Sequence, residues 1–174
     1  MNEDWLLPGA TKDRQGITKD WDFVGQELID GVMVREIKNV PAGYGVLTEV
    51  YRRDWFSDLP DIDQVFQSRL EPGRVSAWHA HALTIDRLFV SAGNMLVALY
   101  DGRKNSRSFG LVNTFRLNLF RPCVLIVPPK IWHGISNIGQ EQSTILNMVD
   151  RAYSYEDPDH WRLAQDSSEI PFHF

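Results

Sequence analysis

Residues 73–93 read GRVSAWHAHALTIDRLFVSAG. Two histidines, His79 and His81, stand two apart in a run rich in Val, Ile, Leu and Phe, the residue types that fill strands. Positions i and i+2 of a strand share a face, so both imidazoles point one way and Trp78 points the other. A lone strand histidine is more often a hydrogen-bonded structural residue than a catalyst. Two imidazoles facing one interior need partners or solvent. A third histidine lies in PPKIWHGISN, residues 128–137, where His133 opens a strand after a Pro-Pro turn. Three histidines in matching segments favour a functional pocket. Trp78 and Trp132 read as packing residues on the opposite sheet face.

Outward from this stretch, short apolar runs alternate with Gly, Pro, Asn and Asp. They predict strands over 32–38, 45–51, 64–70, 75–81, 84–91, 94–101, 112–119, 123–127, 132–138 and 143–149, with a turn at Pro41-Ala42-Gly43. Short strands at such spacing mean a sandwich or barrel and not a βαβ fold. One domain is expected: an arm over 1–31, a barrel over 32–150 and a tail over 151–174. Two short helices are expected at its periphery. In one, Trp21, Val24, Leu28 and Ile29 share a face within 20–29. The other spans 156–164, with Pro158 in its first turn and Arg162 near its end.

The chain has 174 residues and a net charge of −5, from 18 basic and 23 acidic side chains. That balance argues against wrapping a nucleic acid, which needs clustered Lys and Arg. It leaves room for one small anion in a local basic pocket. A single cysteine, Cys123, excludes an intrachain disulfide and reads as buried filler in an apolar run. The first 25 residues hold no apolar signal core and no segment reaches membrane-spanning length. A cytoplasmic protein is expected, without membrane or nucleic-acid partners.

The first segment resembles the cupin pattern of Gly, His-x-His, an acid and Gly, with Asp86 as the acid. The second resembles the other cupin pattern, with Lys130 in place of its Gly. Cupins are double-stranded β-helix (jelly-roll) barrels, so the resemblance implies an all-β barrel. Within cupins the chain is most similar to the dTDP-4-dehydrorhamnose 3,5-epimerases over most of 30–158. DGRKNSRSFG at 101–110 looks like a family hairpin motif, and IVPPKIWHG at 126–134 looks like its histidine segment. Tyr44-Gly45 to Glu49 is similar to an Arg-Gly-x-x-x-Glu motif, and Phe66-Gln67 loosely matches Phe-x-Gln.

The resemblance implies an isomerase that epimerises a nucleotide-linked, dTDP-type 4-keto-6-deoxyhexose. It implies His79 as base and Tyr153 as general acid, preferred to Tyr155. It also implies Glu49, Gln67, His81, Arg87 and His133 as substrate contacts, no cofactor, and a homodimer. Family substrate contacts are replaced at Tyr44, Ser76 and Asp86, and the acid that orients the base has no clear match. Chemically, a hydrogen alpha to a ketone needs a base and a stabilised enolate, and histidine suits the base near neutral pH.

Two rival readings stand beside this. His79, His81, Asp86 and His133 match a three-His-one-acid metal set, suited to a divalent transition metal. A non-catalytic nucleotide-sugar-binding module would keep the barrel and lose the acid. His160 and His173 read as surface residues.

Overall fold

The computed structural model describes residues 5–20 and 24–174. Its strands are β1 (Met33–Glu36), β2 (Asn39–Ala42), β3 (Gly45–Thr48), β4 (Gln64–Leu70), β5 (Val75–Ala80) and β6 (Asp86–Ala92). They continue with β7 (Asn94–Tyr100), β8 (Val112–Asn118), β9 (Cys123–Val127), β10 (Trp132–Asn137), β11 (Ser143–Val149) and β12 (Trp161–Arg162). One five-stranded sheet runs β1-β9-β6-β11-β4 and the other β12-β5-β10-β7-β8, while β2 and β3 form a separate hairpin. All these pairings are antiparallel. From β4 to β12 the chain passes from one sheet to the other at every step but one, the β7–β8 hairpin, which is the expected jelly roll.

Alternation of side chains feeds three apolar layers. Leu88, Val90, Met95, Val97, Leu99, Leu125, Val127 and Ile145 meet between the sheets, joined by Ile29 and Val32 from the arm. Ile37, Phe89, Val124, Ile126 and Met148 cover the other face of the first sheet, under Tyr51, Trp55 and Phe56. On the second sheet Trp78 is fully buried beneath Ile170, Phe172 and Phe174, with Trp132 at the edge. The tail thus roofs the tryptophan face.

Neither expected helix is present among the described residues. The 20–29 expectation falls partly on 21–23, which lie outside the described residues, and 24–29 run irregularly. There Asn113 holds the arm instead, accepting from the Ile29 amide at 2.8 Å and donating to the Glu27 carbonyl at 2.8 Å. Over 156–164 the chain forms β12 in place of a helix, pairing Trp161 with Ala80 and Arg162 with His79. Four donors from one loop, the amides of Ala82, Leu83 and Thr84 and the Thr84 hydroxyl, hold Asp159 there. The only helical turn described is a 3₁₀ turn at Arg53–Phe56. Pro41 and Ala42 belong to β2, so the hairpin turns at Gly43-Tyr44. No helix among the described residues is long and apolar enough to cross a membrane.

Lys130 has φ +68°, the left-handed conformation that favours glycine. This is the position where the cupin pattern carries Gly. Its amide donates to the His81 carbonyl at 2.6 Å, tying the turn before β10 to the His-x-His segment.

Candidate functional site

Between the sheets lies a cavity of about 470 Å³. It is lined from both sheets and by the chain after β11, and His79, His81, Asp86, His133 and Tyr153 all face it. Strict alternation would put Ser76 and His79 on opposite faces of β5. The register shifts here, because His133 pairs with His79 while Ile135 pairs with Ser76. That bulge turns both side chains into the cavity, as bulges near sites commonly do.

His79 is held at both ring nitrogens. Nε2 lies 3.0 Å from Ser76 Oγ, and Nδ1 lies 3.0 Å from His160 Nε2. The Arg162 guanidinium reaches Nδ1 at 3.3 Å. Burial, then the neighbouring His133, His160 and Arg162, pull the His79 pKa down to about 4. The ring is therefore neutral at neutral pH.

His160 was expected at the surface, and the structure corrects that. Its ring lies against both His79 and His81, with centroids 5.1 Å apart in each case. Asp159 sets this placement. Its carboxylate accepts from the amides of Ala82, Leu83 and Thr84 and from Thr84 Oγ1, at 2.6 to 3.0 Å. Burial would raise the Asp159 pKa, but these hydrogen bonds outweigh it and hold the carboxyl below the usual range. The only sequence sign of His160 was its place beside Asp159, which the helix reading concealed.

His81 and His133 share a pattern. His81 Nδ1 donates to the Asp159 carbonyl, and His133 Nδ1 donates to the Ile131 carbonyl at 3.1 Å. A carbonyl only accepts, so both Nδ1 atoms carry hydrogen. The Nε2 atoms then face Asp86 Oδ2, at 3.6 Å from His81 and 3.8 Å from His133. Asp86 Oδ1 accepts from Asn147 Nδ2 at 2.6 Å. Burial lowers the His133 pKa, with Asp86 opposing.

Three expected substrate contacts lie outside this cavity. Arg87 follows Asp86 on β6 and so points to the opposite face, fully buried, with Nη2 donating to the Pro60 carbonyl at 2.6 Å. Gln67 sits between Phe66 and Ser68, which line the cavity, and faces away by the same alternation. Glu49 lines a separate groove near Trp55 and pairs with Arg52 at 2.9 Å. Cations reach the cavity from elsewhere, as Arg151 and Arg162. The four-ligand metal set is also incomplete: His81, Asp86 and His133 cluster, while His79 Nε2 turns to Ser76.

Tyr153 is half-exposed at the cavity and its amide donates to Gln64 Oε1 at 2.9 Å, whereas Tyr155 is 88% exposed and outside it. Cys123 is half-buried, with its thiol pushed up to about 11, chiefly by burial.

Residues 26–173 match the dTDP-4-dehydrorhamnose 3,5-epimerase family. The chain belongs to that family. It is 35% identical over 139 residues to Agl13 of Haloferax volcanii, named a probable low-salt glycan biosynthesis epimerase. That match covers 79% of this chain and 89% of Agl13. It is 29% identical to the spore coat polysaccharide biosynthesis protein SpsL of Bacillus subtilis, over 84% of this chain and 97% of SpsL. A dTDP sugar isomerase from Desulfovibrio desulfuricans G20 superposes with a TM-score of 0.77 at 28% identity, covering 83% of this chain and 90% of that one. As a member of this epimerase family the chain is an isomerase with the RmlC-like cupin barrel.

The family motif at 101–110 has a structural role in this member. Asp101 is fully buried and grips Arg103 and Ser108, and Arg103 Nη2 donates to the Asp30 carbonyl at 2.8 Å. It fastens the arm to the barrel, away from the histidines.

Proposed function

We propose that the chain inverts a carbon beside the C4 ketone of a nucleotide-linked 4-keto-6-deoxyhexose, with His79 as base and Tyr153 as acid. The observation that carries this reading is the fixed ring of His79 in the cavity, backed at Nδ1 by His160. Nε2 takes a proton from C3 or C5, the electron pair moves onto the C4 oxygen as an enolate, and Tyr153 returns a proton from the other face. Atoms and charge balance without a redox cofactor. The Nε2 acceptors of His81 and His133 suit sugar hydroxyls, and Arg151 and Arg162 suit the diphosphate.

Substrate binding also sets the tautomer of the base. A guanidinium only donates, so with Arg162 in place Nδ1 is an acceptor and Nε2–H donates to Ser76. When a diphosphate draws Arg162 away, both rings shift tautomer: the His160 Nε2 hydrogen passes to His79 Nδ1, His160 Nδ1 takes a proton from solvent, and the His79 Nε2 hydrogen leaves to solvent past Ser76, so that Nδ1 then donates to His160. Nε2 is then free to accept a proton. The similarity to a dTDP sugar isomerase supports a dTDP-linked substrate. A homodimer and a cytoplasmic setting complete the proposal. The exposed apolar hairpin residues Val40, Tyr44, Val46 and Leu47 offer a contact face for a second copy.

The test is NMR of dTDP-4-keto-6-deoxyglucose with the protein in D2O. Deuterium enters C3 or C5, and His79→Asn slows this by about 10²–10⁴-fold while the ligand still binds. Unchanged wash-in with His79→Asn would remove the base assignment. Binding without any wash-in would favour a non-catalytic module.

A further inference from the structure

Residues 26–173 match the family, so the stretch before Gln26 lies outside what its members share. In that stretch Glu3 and Asp4 directly precede Trp5, Leu6 and Leu7. Trp5 and Leu7 are each 78% exposed, and Leu6 is 41% exposed. The arm here bonds to itself, from the Ala10 amide to the Leu7 carbonyl and from Gln15 Nε2 to the Ile17 carbonyl, each at 3.0 Å. It is tied to the barrel at Gln26, which exchanges two hydrogen bonds with Thr114 of β8. A tryptophan and two leucines side by side in water mark a contact surface whose counterpart lies elsewhere.

The barrel carries a groove that fits it. About 710 Å³ in volume, it lies between β1, the β2–β3 hairpin and the 3₁₀ turn. Val40 and Leu47 are register partners and share a face, and they line it together with Ile37 and Trp55. Both acids of the groove are already paired, Glu36 with Arg121 and Glu49 with Arg52. Its two cations are not. The Arg35 guanidinium lies 4.2 Å over the Trp55 ring and meets no acceptor among the described residues. Lys38 likewise has no carboxylate among them. An apolar floor with two unanswered cations thus matches an apolar segment led by two acids.

We infer, resting on the homodimer proposed above, that residues 3–7 of each copy dock in this groove of the other. Trp5, Leu6 and Leu7 cover Val40, Leu47 and Trp55, while Glu3 and Asp4 meet Arg35 and Lys38. The single chain keeps this segment out of its own groove, since Trp5 and Leu7 stay exposed in it. About 20 residues lead from Trp5 to Gln26, and extended they reach roughly 70 Å, enough to cross to a second copy. Exchange of arms between identical copies is reciprocal, so one dimer fills two grooves. Val46 alternates to the other face of the hairpin, which is left for direct contact between the barrels.

The experiment measures dimerisation of the full chain by sedimentation equilibrium. The wild type is a dimer, and Trp5→Ala, a change on an exposed arm, weakens it by about 30-fold or more. Lys38→Glu weakens it by about tenfold, and adding Glu3→Lys with Asp4→Lys restores it, a rescue that a general loss of stability would not give. Two chains are then co-expressed in a Cys123→Ala background, one with Leu6→Cys and one with Leu47→Cys. Oxidation links them as a heterodimer. A monomeric wild type would overturn both the docking and the homodimer. A dimer unchanged in Trp5→Ala, or the absence of the heterodimer link, would overturn the docking and leave the homodimer standing. Deuterium wash-in on the same samples reports the epimerase reading separately.

Discussion

Asp101→Asn tests whether the family motif at 101–110 is a structural fastening. Asp101 Oδ1 accepts from the Arg103 amide at 2.9 Å and from Arg103 Nε at 2.8 Å. Oδ2 accepts from Arg103 Nη2 at 2.9 Å and from Ser108 Oγ at 2.7 Å. Asparagine retains one acceptor oxygen and sets an NH₂ against a guanidinium. Breaking a buried ion pair by removing one partner costs about 3–5 kcal/mol. The Arg103 side chain is 27% exposed, so water recovers part of its charge and the lower end, about 3 kcal/mol, applies. For a chain of this size that lowers Tm by roughly 6–12 °C.

The sign of the pH dependence follows from the carboxyl. Burial alone would raise the Asp101 pKa, but hydrogen bonds from Arg103, Ser106 and Ser108 prevail and hold it below the usual range. A depressed carboxyl contributes stability that is full above its unfolded pKa, about 3.9, and is lost as pH falls through its folded value. Urea titrations of wild type and variant should therefore differ by a constant amount from pH 7 to 5. The gap then shrinks by roughly 1 kcal/mol by pH 3. A gap under about 1 kcal/mol at pH 7, or one that does not change at pH 3, would refute the reasoning.

Two further perturbations probe the site and its frame. His160→Ala removes the partner of His79 Nδ1, so kcat should fall by about 10–100-fold with KM little changed, while His160→Asn restores part of it. An equal rise in KM with constant kcat would make His160 a binding residue instead. Gly93→Ala places a Cβ 2.1 Å from Ser143 Oγ at φ +76°, so left-handed strain and overpacking together should lower Tm on the order of 10 °C in a thermal melt.

Strand periodicity made the barrel legible because its signal is local. A run such as Cys123–Val127, bounded by Pro122 and Pro128, has no other way to bury its side chains. Two strands escaped, Asn39–Ala42, which carries a proline, and the two-residue Trp161–Arg162. They lack apolar runs of their own and exist because a neighbour offers free backbone groups. That His79, His81, Asp86 and His133 would gather was legible from two local motifs, His-x-His with its following acid and the Pro-Pro-Lys-Ile-Trp-His segment. His160 was not, because what places it is the loop Ala82–Thr84, more than 70 residues away, closing on the Asp159 carboxylate. Arg87 failed in the opposite sense. Its neighbour Asp86 faces the cavity, and on a strand that fixes Arg87 outside it.

These placements also account for how the cavity changes its electrostatics without changing its frame. Ser76 stands where the family carries a phosphate-binding arginine, and Arg162 enters the cavity on β12, the strand the tail adds to β5. The partner of His79 is likewise a tail residue, His160, held by Asp159 against the 82–84 loop. A neutral imidazole behind His79 does not stabilise an imidazolium as an anionic partner would, so under the proposed reaction the proton His79 takes from carbon is bound weakly. A weakly bound proton is passed on readily, and the enolate it leaves must be stabilised from elsewhere in the cavity. Arg151 and Arg162 are the positive charges that line the cavity for that. The tail that closes the cavity therefore adds, through His160 and Arg162, to the burial and the neighbouring His133 that keep the His79 ring a weak acceptor of protons.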